Sequence, residues 1–182
     1  MAIAAARAAA RPLDLQLIGQ ASVGKTNLLR ELAASAAQLA VLQKIKDDAI
    51  AHCTIRLSKE GFPHGRPRDV HVLDCKGREE AWACAEEWFK HARLCVLVYN
   101  VLDEGSLDYV AIALPKVQAA GAQAVLFGNM WEVQRTRTEG KTVREDIVSV
   151  VMRAKDLAIR SGAAAYEGSQ LLPVLAAEGL FS

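Results

Sequence analysis

Eight residues constrain this chain more than any other feature: Gly19-Gln20-Ala21-Ser22-Val23-Gly24-Lys25-Thr26 has the spacing G-x-x-x-x-G-K-[ST]. That spacing has a physical cause. Backbone N–H groups of such a loop point inward at phosphate oxygens, and glycines let the chain approach without a side chain in the way. Lys25 then reaches the terminal phosphates and Thr26 offers a hydroxyl to Mg²⁺. A helix that follows at once aims the positive end of its dipole at the same anion. Ordinary residue frequencies produce the pattern by accident in roughly one chain in a hundred or two. The competing reading is a glycine turn with an incidental lysine.

Local context favours the phosphate reading. Leu13-Asp14-Leu15-Gln16-Leu17-Ile18 alternates and then turns apolar, which predicts a strand. A long Ala/Leu-rich helix is expected from Lys25 to about Leu42. Two strands, His52–Leu57 and Arg68–Leu73, flank Gly61-Phe62-Pro63-His64-Gly65 and predict an antiparallel hairpin. A helix is expected from Glu79 to about His91. The continuous apolar runs Leu94-Cys95-Val96-Leu97-Val98 and Ala124-Val125-Leu126-Phe127 predict strands buried on both faces. Ser106 is expected to cap a further helix that Pro115 bends or ends early. Val143, Ile147, Val150, Val151, Ala154 and Leu157 stand at helical spacing within a helix expected over Thr142–Arg160 and stopped by Gly162. Strands alternating with helices predict an α/β fold around a mostly parallel sheet.

Bulk properties exclude several classes. The chain has 182 residues, which suits one core and not two ordinary domains. A net charge of +1 and 52% hydrophobic residues argue against disorder, against nucleic acid and against an anionic membrane as partner. Cys53, Cys75, Cys84 and Cys95 lack metal-ligand spacing, and His52, His64, His71 and His91 are scattered; buried thiols in a reducing compartment are expected. No run reaches the ~18–20 apolar residues of a membrane span. Ala2 follows Met1, and the chain finishes Gly179-Leu180-Phe181-Ser182 without a cysteine, so no lipid anchor is expected.

The order of several landmarks resembles the Ras and Rab small GTPases. Val70-His71-Val72-Leu73-Asp74-Cys75-Lys76-Gly77-Arg78-Glu79 is similar to their strand followed by D-T-A-G-Q-E. Ala92 to Asp103 is similar to their A-D-x-x-I-L-V-Y-D-V-T-D strand. Ala124-Val125-Leu126-Phe127-Gly128-Asn129-Met130-Trp131-Glu132 stands where they end a strand in G-N-K-x-D, and Tyr166-Glu167-Gly168-Ser169-Gln170 resembles a worn E-T-S-A. The match spans about residues 13–170.

The resemblance implies a three-layer P-loop fold with a six-stranded, mostly parallel sheet, one antiparallel hairpin strand and helices on both faces. It divides the chain into an Ala-rich tail, 1–12, and a GTP-binding domain, 13–182, whose last helix is short or broken by Pro173 and Gly179. It implies GTP or GDP held by Gly19 through Thr26 together with Asn129, Glu132 and Ser169, and Mg²⁺ on Thr26 and Asp74.

Departures from the pattern fall where nucleotide chemistry happens. Arg78 occupies the place of the glutamine that orients the attacking water, and a guanidinium cannot accept a hydrogen bond from that water. No threonine stands between Thr26 and Thr54, and the expected switch I position falls at Ile45 or Lys46, with Thr54 as ligand the alternative register. Met130 replaces the lysine and Glu132 the aspartate of the guanine motif, which weakens the preference for guanine. The expectation is a GTP-binding protein that is at most a slow GTPase. It would act through protein partners in a larger complex, in the cytoplasm, with cilium or flagellum as a further placement. The rival reading is a pseudo-GTPase serving as a structural subunit; a small nucleotide kinase ranks third. Trp82, Trp88 and Phe89 at helical spacing predict core packing over a docking face, and Arg135, Arg137 and Lys141 a solvated basic loop.

Overall fold

The structure, a computed structural model, describes residues 13–35, 50–57, 68–77, 79–138 and 146–180. The Ala-rich tail, the tip of the hairpin, Arg78, Ile45, Lys46 and Lys141 lie outside the described residues. Six strands form one sheet: β1 (Leu13–Ile18), β2 (Ile50–Leu57), β3 (Arg68–Cys75), β4 (Ala92–Asn100), β5 (Gln123–Asn129) and β6 (Ala164–Gly168). Their order is β2-β3-β1-β4-β5-β6. β2 runs antiparallel to β3, and the remaining neighbours are parallel. The expected α/β sheet with one antiparallel hairpin strand is therefore present.

The helices are α1 (Lys25–Ser35), α2 (Glu79–Phe89), α3 (Glu104–Ala119), α4 (Trp131–Thr138), α5 (Asp146–Ser161) and α6 (Leu172–Ala177). One core packs Ala85 and Phe89 of α2, Val110 and Leu114 of α3, and Val150 and Ala154 of α5 against Leu97, Tyr99 and Leu126 of the sheet. On the other face Leu28, Leu29 and Leu32 of α1 and Val174 and Leu175 of α6 cover Leu15, Leu17, Val96, Val98 and Phe127. Both faces of the central strands are thus removed from water, which is why β4 and β5 read as apolar runs. Two polar residues enter β1 because each finds a partner: Asp14 accepts from the His71 backbone N–H at 2.9 Å, and Gln16 donates to the Ala85 carbonyl at 2.9 Å.

Three local expectations change. Asp103, not Ser106, caps α3: its carboxylate accepts from the Gly105 N–H, while Ser106 is buried inside the first turn with its hydroxyl on the Asp103 carbonyl at 2.6 Å. Cap residues compete at short range, and Asp103 carries the added advantage of charge at a helix N-terminus. Pro115 does not end α3, which continues to Ala119. Leu114 and Val117 are anchored on either side of it, and burial of that pair offsets the one backbone hydrogen bond that proline removes. Arg135 and Arg137 fall on α4 and not in a loop. That helix is short and polar, so periodicity gave no signal; it starts where the Asn129 side chain accepts from the Trp131 N–H at 3.0 Å.

The aromatic stripe of α2 packs inward. Phe89 is buried, and Trp82 meets Phe89 and Tyr109 edge to face at centroid separations of 5.9 and 5.4 Å. Cys53, Cys75 and Cys95 are buried and free, and burial pushes the Cys53 and Cys95 thiols up to about 12. Thiolates are the reactive form. A thiol reagent at neutral pH is therefore expected to modify at most one of the four cysteines in the native chain and all of them after denaturation; rapid modification of two or more native thiols would contradict this packing.

Candidate functional site

In parallel sheets of this kind ligands gather outside the carboxyl ends of the strands. The sequence-predicted residues lie there. β1 ends at Ile18 and hands the chain to the glycine-rich loop, α1 begins at Lys25, β3 brings Asp74, and β5 ends on Asn129. Ala21, Ser22, Gly24, Lys25, Thr26, Asp74 and Gly77 share the lining of a cleft of about 360 Å³.

The loop is held from within. The Lys25 ammonium folds back and donates to the Gly19 and Gln20 carbonyls, both at 2.8 Å, and the residue is buried. Burial pulls its pKa below the usual lysine value, while the charges of Asp74 and Cys75 oppose that shift. Thr26 donates to Asp74 Oδ2 at 2.8 Å, which joins the start of α1 to the end of β3. Burial raises the Asp74 pKa, although the Thr26 hydrogen bond and the Lys25 charge pull the other way. A carboxylate so placed is under-solvated, and a divalent cation beside it would relieve the cost of its charge. Thr26 and Asp74 therefore fit a Mg²⁺ ion, and Lys25 fits the phosphate that accompanies one.

Asn129 does more than the sequence showed. Its side-chain amide donates to the Val23 carbonyl at 2.9 Å, so the end of β5 braces the phosphate loop from behind. Gly24 is needed for that brace: its φ of +91° suits glycine, and a Cβ there would fall 2.3 Å from Asn129 Nδ2. A second close approach occurs at Gly77. Its carbonyl accepts from the Ala21 N–H at 3.1 Å, and a Cβ on it would lie 2.1 Å from the Gln20 carbonyl carbon. The segment after β3 thus rests directly on the phosphate loop. Sequence reading missed both contacts; the glycines at 24 and 77 were the available signal.

Other predicted residues are placed around this core. Glu132 stands in the first turn of α4 and accepts from the Asn100 side chain at 3.3 Å. Ser169 follows β6, whose last residue, Gly168, accepts from the Met130 N–H at 2.8 Å. Asn129, Glu132 and Ser169 therefore belong to adjoining segments at one end of the sheet, beside the phosphate loop. Thr54 does not join them. It lies inside β2 opposite His71, and its hydroxyl is 3.0 Å from His71 Nδ1. Arg78, assigned to the position of the water-orienting glutamine, is outside the described residues.

Among the described residues no group of three or more His, Cys, Asp or Glu is gathered as a metal cluster, and no described helix is long and apolar enough to cross a membrane. A comparison with curated proteins finds no match. The model of the family described as Ras family matches residues 14–169.

Proposed function

The chain belongs to the Ras family, and from that premise we propose that it is a small GTP-binding protein that holds GTP or GDP with Mg²⁺, hydrolyses GTP slowly or not at all, and acts by contact with protein partners. The observation that carries the reading is the convergence of Lys25, Thr26 and Asp74 on one cleft, with Thr26 and Asp74 already 2.8 Å apart.

Each residue has a distinct part in binding. Backbone N–H groups of the loop and the N-terminus of α1 present partial positive charge to the phosphates. Lys25 exchanges two carbonyl partners for phosphate oxygens, a change that pairs a buried cation with an anion. Thr26 and Asp74 would hold Mg²⁺, which supplies positive charge against the phosphate oxygens when bound. Asn129 keeps the loop at the depth these contacts need by holding the Val23 carbonyl.

Base recognition is weaker on this reading. Glu132 carries the charge suited to a guanine edge on a side chain one methylene longer than aspartate, and Asn100 competes for it. Competition of GTP and ATP against a fluorescent guanine nucleotide tests this. GTP should be preferred by less than about a thousandfold, or ~4 kcal/mol; a larger preference would show that Glu132 fits the base as well as aspartate does.

A second reading, in which nucleotide is held for stability and the fold serves as a constitutive scaffold, is favoured by one observation: Thr54 is committed to His71 within β2. The exposed Val148, Met152 and Ile159 on one face of α5 support partner contact under either reading.

A further inference from the structure

The cleft contains a cation that the phosphate loop does not supply. Lys76 lies just past the end of β3, two residues beyond Asp74, and lines the same cavity as Ser22, Lys25 and Thr26. The residue is exposed, so a ligand entering from solvent can reach its charge. Its neighbour fixes its position. Gly77 accepts from the Ala21 N–H at 3.1 Å, and the space a Cβ would need there is filled by phosphate-loop backbone 2.1–2.2 Å away. The Lys76 backbone is thereby held beside the phosphate loop, and in the D-T-A-G-Q-E segment that 74–79 resembles the same place is taken by alanine.

Among the described residues, the charges lining the cavity are Lys25 and Lys76 against Asp74. A diphosphate and its Mg²⁺ can be met by Lys25, Thr26, Asp74 and the loop backbone. A triphosphate brings one more anionic group, and the chain offers no threonine between Thr26 and Thr54 to help enclose it. A lysine can meet that group, because it is a compact charge on a flexible stem and reaches a terminal phosphate without a fixed angle of approach.

We propose that Lys76 is a second phosphate-binding lysine, which contacts the terminal phosphate of a nucleoside triphosphate and gives the site a preference for triphosphate over diphosphate. The proposal rests on the guanine-nucleotide reading of the cleft and adds to it a basis for telling the two nucleotides apart without a switch I threonine.

The test is equilibrium titration of the full chain with Mg²⁺–GTP and Mg²⁺–GDP for wild type, Lys76→Ala, Lys76→Arg and, as a site control, Lys25→Ala. Loss of one charge-assisted contact predicts that Lys76→Ala weakens GTP about tenfold or more and GDP less than about twofold. Lys76→Arg keeps the charge and should stay within about threefold of wild type for both. Added salt should narrow the gap between wild type and Lys76→Ala, because the side chain is exposed. If Lys76→Ala weakens both nucleotides equally or neither, while Lys25→Ala still abolishes binding, the role of Lys76 is overturned and the nucleotide site stands. If wild type binds neither nucleotide, both fall.

Discussion

Lys25→Ala is expected to lower the affinity for GTP and GDP by at least about a hundredfold, or ~3 kcal/mol, with the fold intact. Lys25 is buried in the lining of the cleft, and its ammonium is held only 2.8 Å from each of two loop carbonyls, Gly19 and Gln20. Those bonds are neutral on the acceptor side, and burial already depresses the lysine pKa. A phosphate therefore finds a cation whose desolvation cost has been met in folding, and the contact it makes is worth more than one formed by an exposed lysine. Alanine removes the charge and the donor together. The folded chain loses two hydrogen bonds and also sheds a buried charge, terms of opposite sign, so the change in apo stability should stay within about 1–2 kcal/mol. Fluorescent-nucleotide titration paired with thermal melting of the nucleotide-free chain separates the two effects. Affinity unchanged in a folded Lys25→Ala protein would remove the cleft as the nucleotide site.

The parts of this molecule that could be read from the sequence are those in which local pattern and global fold agree. β4 and β5 are continuous apolar runs because they lie inside the sheet with helices on both faces, and burial on both sides leaves no room for alternation. The phosphate loop was legible because its glycines, lysine and threonine form one short contiguous pattern, although Gly24 also answers to Asn129 across the fold. Where a choice depended on contacts distant along the chain, pattern fell short. Pro115 is tolerated within α3 because Leu114 and Val117 are anchored in the core, and α4 starts where the Trp131 N–H donates to the Asn129 side chain, a bond that no periodicity encodes. The brace from Asn129 to Val23 spans 106 positions, and the Gly77 contact on Ala21 joins two loops. Both were visible only as glycines whose purpose a single sequence does not state.

Hydrolysis in a single turnover should be very slow, and Arg78→Gln alone should recover little of it. On the proposed reading, two parts of the arrangement that the Ras and Rab resemblance implies are altered, and they lie on different segments. At position 78 a guanidinium, which only donates, replaces a group that both accepts from and donates to the attacking water. In the switch I region no threonine stands between Thr26 and Thr54, and Thr54 is not a substitute: it sits within β2 with its hydroxyl 3.0 Å from His71 Nδ1. Restoring the glutamine would therefore orient water at a site that still has no switch I threonine. Groups that act as a unit contribute far less singly than together, so one repair is expected to raise the rate by less than about tenfold. The measurement is GTP cleavage by the isolated, nucleotide-loaded chain, with binding checked first so that lost affinity is not mistaken for lost catalysis. Wild type and Arg78→Gln should both remain far below the rate of ordinary family members. Should the variant alone reach that rate, the switch I threonine is dispensable here; should wild type reach it unaided, slow turnover and the scaffold reading fall together. A partner can supply missing groups in trans, as GTPase-activating proteins do, so the assay is then repeated with any stable partner. A large acceleration there, absent from the isolated chain, would place the missing groups on that partner and not in this fold.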